Sequence, residues 1–223
     1  MEEQILLAES GYINNIKYTY PPNINYRRLL RKSVSKLVTI DWKNILPDPP
    51  QNDSDVTRNE LKNVSEATSN RTKLDIDLIK LVDKDPVDLF LPFLKKHNLS
   101  FPSNIFKKAN DILDTLAIQL KWQYSRPRPY QLAKIFNIPL DIINTDTHQT
   151  PAYPSGHAAY GALVAAILSD IYPEHAPEFY RMGLLAGHAR VLQGVHYASD
   201  NDAGVVLANV LWNNIKHHLL KGI

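Results

Sequence analysis

Apolar residues recur along this chain at steps of three and four, and the longest run is Ile105, Ala109, Ile112, Leu113, Leu116, Ala117 and Leu120. That spacing predicts one buried face of a long helix. Lys121 falls next on the same face. Upstream, Leu74, Leu78, Leu81 and Val82 predict a shorter helix, which Pro86 breaks or restarts before residues 89–94. Downstream, His157, Gly161, Ala165 and Leu168 share a face of a predicted helix over 158–171. Another helix opens at Pro173 and carries Phe179, Met182, Gly183, Ala186 and Arg190 on one side. The last bears Leu207, Val210, Leu211, Ile215 and Leu219 behind a cap-like run, Ser199-Asp200-Asn201-Asp202. The expected fold is all-α, a helical bundle of about six or seven helices with a pocket between facing helices at its centre.

Residues 1–55 break this pattern. They mix aromatic, Asn and Pro residues without periodicity, as in Tyr18-Thr19-Tyr20-Pro21-Pro22 and Leu46-Pro47-Asp48-Pro49-Pro50. We read them as an extended arm that lies over the body or reaches a neighbouring subunit, so a homo-oligomer stays open. Possible caps at Asn52-Asp53-Ser54-Asp55 lead into a helix or a linker. Residues 137–154, rich in Pro, Asp, Asn and Thr, are expected to form a loop beside the pocket. The whole chain, 1–223, is expected to be one domain, with residues 56–223 as its helical core.

Composition narrows the function classes. The chain has 223 residues, is 44% hydrophobic and 22% charged, and carries a net charge of +2, which is ordinary for a globular domain. That balance argues against a nucleic-acid partner or an anionic membrane surface, which need clustered cations. There is no cysteine, so disulfides, thiol nucleophiles and thiolate zinc sites are excluded. Met1-Glu2-Glu3-Gln4 is acidic where a secretion signal would be basic. The apolar runs are too short for a spanning helix. A soluble chain, cytoplasmic or of unassigned compartment, is the expectation.

The chemistry-bearing residues fall in three groups. Lys121 either snorkels at a helix end, the commoner case, or is drawn into the core, where a bound anion would compensate its charge. In Arg126-Pro127-Arg128-Pro129 each proline disfavours helix in the residue before it, so Arg128 sits on rigid backbone. That mounts a guanidinium for an oxyanion, or makes a solvated basic turn. Ser155 and Gly156 precede His157 at a helix start, where free N–H groups bind anions; a simple Ser cap with a core histidine behind it is the alternative. His196 and Asp200, four residues apart, allow a carboxylate to hold one imidazole nitrogen and leave the other free to attack. A metal site built from His157, His188, His196 and Asp200 is disfavoured, because the cations around it would repel a dication. His97, His148, His175, His217 and His218 are assigned no role.

Lys121 with Arg128-Pro129, then Pro154-Ser155-Gly156-His157, then Arg190 with His196 and Asp200, resemble the three signatures of the type 2 phosphatidic acid phosphatase and vanadium haloperoxidase superfamily. The resemblance spans roughly residues 105–215. Ala189 departs from it by standing where the family usually has Ser, which withdraws a supporting hydrogen bond. The short interval from His157 to Arg190, together with Asp170-Ile171-Tyr172-Pro173 and Gly194-Val195-His196-Tyr197, is most similar to the soluble class A acid phosphatases. Ala152-Tyr153 is as similar to haloperoxidases.

The resemblance implies a metal-independent phosphomonoester hydrolase that needs no cofactor. His196 would be phosphorylated, Asp200 would orient it, and His157 would act as acid and base. Lys121, Arg128, Ser155, Gly156 and Arg190 would hold the phosphate of a small substrate. The alternative is a haloperoxidase holding vanadate on His196 and oxidising halide with peroxide. A phosphate-binding protein without turnover is a third reading, which a complete nucleophile, acid and carboxylate argue against.

Overall fold

The computed structural model describes residues 11–221, and these are helices and connecting turns with no strand among them. The acidic start, Met1 to Gln4, lies outside the described residues.

Helix α1 (Ile24–Arg31) is started by Asn23, whose side chain accepts from the Tyr26 amide. The N-terminal segment is therefore not a wholly extended arm, since Asn23 supplies a cap that a reading based on periodicity passes over. It also folds onto its own chain. Gln119 Nε2 donates to the Leu29 and Lys32 carbonyls, and the hydroxyls of Tyr124 and Tyr153 donate to the carbonyls of Leu46 and Pro47.

Ser54 caps α2 (Asp55–Ser69), and Thr72 with Asp75 forms a capping box on α3 (Lys73–Lys84). The buried positions of α3 are Ile79 and Val82, whereas Leu74 and Leu81 face solvent. The expected stripe was thus rotated, because α3 is covered mainly by α8 on one side. Pro86 begins a 3-10 turn, Pro86–Leu89, ahead of the short α4 (Leu91–Lys96).

Helix α5 (Ser103–Tyr124) buries the predicted face from Ala109 to Lys121 and ends where Ser125 turns left-handed, φ +50°. Then come α6 (Pro129–Ile135), α7 (Gly156–Ile171), α8 (Ala176–Leu192) and α9 (Ala198–Leu219). The expectation of six or seven helices missed α1 and α6, which span too few turns to show a stripe, while α4 is the restart expected after Pro86.

Helix α7 is the axis of the bundle, buried along most of its length between α8, α9 and α5. Small residues permit this closeness. A Cβ on Gly161 would stand 2.6 Å from both the Gly183 carbonyl oxygen and the Ala186 methyl, and one on Gly204 would stand 2.5 Å from the Ser155 carbonyl oxygen. The starts of α7 and α9 are also joined directly, the Ser155 amide donating to the Asp200 carbonyl at 2.8 Å. Helix contact at glycine thus places His157, Arg190 and Asp200 near one another.

Candidate active site

Lys121 is buried, with 4% of its surface exposed. Its ammonium donates to the carbonyls of Pro151 at 2.7 Å and Ala152 at 3.1 Å. It therefore points into the core and does not snorkel. Burial, followed by the charge of Arg128, holds its pKa well below that of an ordinary lysine.

Arg128 opens α6 on extended backbone, as its two flanking prolines require. Its fork is fixed on three sides: Nε donates to the Thr150 carbonyl (2.8 Å), Nη2 to Thr150 Oγ1 (3.1 Å) and Nη1 to the Val195 carbonyl (2.7 Å). Nη1 also lies 2.7 Å from His196 Nε2. A guanidinium can only donate, so Nε2 accepts and the ring proton is on Nδ1. Nδ1 in turn donates to Asp200 Oδ2 at 2.9 Å.

Asp200 is fully buried and saturated. Oδ2 also accepts from the Tyr197 amide (3.0 Å), and Oδ1 accepts from Arg126 Nη1 (2.6 Å). It occupies the third helical position of α9, whose cap is Tyr197, so the cap lies just before the predicted Ser199 run. Arg126 stacks 4.0 Å over the Tyr197 ring and donates from Nη2 to Glu60 Oε2 at 3.0 Å. Glu60 also accepts from the amide and hydroxyl of Ser199. The sequence reading found no catalytic signal in α2 and overlooked this carboxylate. Its only signal is an acidic residue among the buried positions Thr57, Leu61 and Val64.

Lys121, Arg128, Gly156, His157 and His196 line one cavity of about 500 Å³. A Cβ on Gly156 would meet only Lys121 Cε, at 4.0 Å, so glycine leaves the start of α7 open to that cavity. Two expected phosphate ligands are not on its wall. Ser155 is fully buried and caps α7, accepting from the Ala158 amide at 3.4 Å. Arg190 is turned to Asp83 Oδ1 and Thr147 Oγ1, both at 2.9 Å, with Nε unpartnered. It stands one layer behind the wall, where burial brings its pKa down to about 10 and leaves it charged at neutral pH. Ala189 beside it packs with Ile79, Val82 and Leu192. His188 is exposed and outside the cavity. No group of three or more His, Asp or Glu side chains suited to a metal ion occurs among the described residues.

Four cations are buried here, and their pairing divides them. Arg126 has Glu60 and Asp200, and Arg190 has Asp83. Lys121 and Arg128 have no carboxylate partner among the described residues, and both face the cavity. A buried cation without a counter-charge is costly, so this cavity favours an anion. The same field acts on the histidines. Burial, then the neighbouring cations, hold His157 and His196 well below the ordinary imidazole range, so both are neutral.

A family model described as the PAP2 superfamily matches residues 109–219. The non-specific acid phosphatase of Salmonella typhimurium is 43% identical over 84 residues, 38% of this chain and 33% of that protein. The chain thus spans about a third of that curated relative. A bacterial vanadium-dependent iodoperoxidase superposes with a TM-score of 0.67 at 16% identity, covering 92% of this chain and 60% of the other. A transmembrane PAP2-type phosphatidylglycerolphosphate phosphatase from Bacillus subtilis superposes with a TM-score of 0.52 at 18% identity, covering 77% and 90%. No helix among the described residues is long and apolar enough to cross a membrane. With its signature residues gathered on α5 to α9 in this shared all-helical fold, the chain carries a PAP2 superfamily domain match over residues 109–219.

Proposed function

We propose that the protein hydrolyses phosphomonoesters through a phosphohistidine at His196, without a metal. The observation that carries this is the pair of buried cations, Lys121 and Arg128, that meet no carboxylate and share the cavity wall with His196, whose unprotonated Nε2 accepts from Arg128 Nη1.

The phosphate would take its place against Lys121, Arg128 and the free N–H groups at the start of α7, relieving their uncompensated charge. Arg190, behind the wall, adds positive potential, and Ser155 shapes the α7 start as a cap. Arg128 Nη1 passes from His196 Nε2 to a phosphate oxygen, Nε2 attacks phosphorus, the ester P–O bond breaks, and the leaving oxygen takes a proton from His157. Asp200 keeps the proton on Nδ1 and stabilises the imidazolium that forms. Water then gives a proton to His157 and attacks phosphorus; the P–N bond breaks and neutral His196 returns.

His157 is neutral in the free site, so it gains its catalytic proton when substrate binds, from solvent or from the substrate itself. A bound dianion reverses the field that depresses it, and a monoanion brings the proton itself.

The donor set fits vanadate as it fits phosphate, because both offer equatorial oxygens to cations and an apical position to an imidazole. Bound there, vanadate would supply peroxide activation. The test is aryl phosphate hydrolysis with and without vanadate, beside halide oxidation by vanadate and peroxide. Hydrolysis that vanadate inhibits is the expected result. Halide oxidation without hydrolysis overturns the proposal.

A further inference from the structure

The cavity continues well beyond the phosphate end. Asp114 precedes Lys121 on α5 by seven residues, about 10 Å along the axis and nearly on the same face. Both line the cavity, with Ala117 and Ile118 between them and Leu113 next to Asp114. Tyr26 and Leu29 of α1, Pro86, and Tyr160 of α7 also line it. The lining therefore runs from cations and histidines, through an apolar middle, to a carboxylate.

Of the carboxylates on this lining, Asp114 is the one left for a ligand. Asp83 is taken by Arg190 and Thr147. Asp85 accepts from the Val87 amide and the Tyr160 hydroxyl, and Lys84 pairs with Asp88. Asp114 has one neutral partner, the Asn110 amide at 3.2 Å, and no ion pair among the described residues. The charged and titratable groups around it are Asp111 on its own helix, Lys32 beyond α1, Tyr26 on α1 and Tyr160 on α7. The Lys32 ammonium lies 3.5 Å from the Asp111 carbonyl, one turn away. Although Asp114 is exposed to solvent, the apolar groups crowded round it, then Asp111, push its carboxyl up, to about 6.

We infer that Asp114 determines leaving-group specificity: the cavity takes esters whose leaving group is apolar in its middle and carries an amine or hydroxyl donor at its far end, and it rejects a second anion there. This rests on the proposed phosphate site at His196. Asp114 is solvent-exposed at this end of the cavity lining, where it attracts a cation or donor on the leaving group and repels a second anion.

The test uses benzylphosphonates, which bind without being hydrolysed, bearing a para aminomethyl, hydroxymethyl or carboxylate group. Their affinities are measured by calorimetry at pH 7.5 and pH 5 for the wild type, Asp114→Asn and Asp114→Glu. At pH 7.5 the wild type is expected to favour the aminomethyl over the carboxylate ligand by on the order of tenfold or more. That ratio should narrow at pH 5, vanish in Asp114→Asn and persist in Asp114→Glu. The shared phosphonate cancels from the ratio. An unchanged ratio in Asp114→Asn overturns the inference, as does equal binding of the charged ligands by the wild type. Should Asp114→Asn not fold, the wild-type preference and its change with pH decide alone. Charge-selective binding with no aryl phosphate hydrolysis would overturn the phosphatase reading and leave this one standing. No binding of any of the three ligands overturns both.

Discussion

Glu60 and Arg126 lie 3.0 Å apart although 66 residues separate them in the sequence. Through this pair α2, which the family model does not cover, reaches the histidine at the centre of the site. Glu60 fixes Arg126 and Ser199, Arg126 fixes Asp200 Oδ1, and Asp200 fixes the His196 tautomer.

Glu60→Ala removes one of two carboxylates from a buried guanidinium. The expected loss is about 3 kcal/mol, or about 10 °C in Tm. Glu60→Gln keeps an acceptor for the Ser199 amide, so it should cost less stability while lowering kcat by about tenfold as Arg126 and Asp200 lose their alignment. Thermal unfolding and aryl phosphate kinetics on the same preparations check both.

Asp200→Asn tests the tautomer. An amide N–H turned to Nδ1 would move the ring proton to Nε2, which then cannot attack. By analogy with the serine protease triad, kcat should fall on the order of 10³- to 10⁴-fold. A loss under tenfold, measured against folded protein, would remove Asp200 from the mechanism.

The sequence displayed the long elements and hid the pairings. Periodicity marked α5, α7, α8 and α9 because each has an apolar stripe several turns long. The grouping of Lys121, Arg128, His157 and His196 was legible through the three signatures of the resemblance, whereas local rules alone left Lys121 snorkelling and Arg128 in a solvated turn as open alternatives. Glu60, Asp83 and Thr150 were not legible. Each meets its partner across tens of residues of chain, and nothing local distinguishes a carboxylate that will be buried. Arg190 was expected to touch phosphate because the resemblance implies it, and periodicity placed it on the core face of α8. That face is also where Asp83 reaches it from α3, and periodicity carries no information on which neighbour takes the guanidinium.

The depressed histidines give a pH prediction with a definite sign. His157 and His196 have folded pKa values well below 6.5, so below that pH the unfolded chain binds more protons and stability falls as pH falls. Asp114, raised to about 6 from 3.8, acts in the opposite sense between those values, but it is one group against two. Tm should therefore drop between pH 7 and pH 5, and His157→Asn should flatten the slope. In kinetics, the basic limb of kcat should lie above that of kcat/KM, because bound phosphate raises the pKa of His157.

Gly204 and Gly161 predict where packing and site meet. A methyl on Gly204 would collide with the Ser155 carbonyl oxygen at the start of α7, and backbone cannot yield as a side chain can. Gly204→Ala should cost about 1–3 kcal/mol and lower kcat, since α7 carries Gly156 and His157. Gly161→Ala forces α7 from α8 at similar cost in stability. Urea unfolding and kcat separate the two effects.

Lys121 should show a conflict between stability and binding. Its ammonium is buried without a carboxylate, a state that only a bound anion relieves. Inorganic phosphate at about 100 times its Kd should stabilise the wild type by about 2.7 kcal/mol, or about 5–10 °C in Tm. Lys121→Met keeps the stem and removes the charge. Without phosphate the variant should melt at or above the wild-type temperature, because the desolvated cation is gone. With phosphate the shift should be largely lost. A variant that melts lower and still responds fully to phosphate would show that Lys121 serves packing and that the anion binds elsewhere.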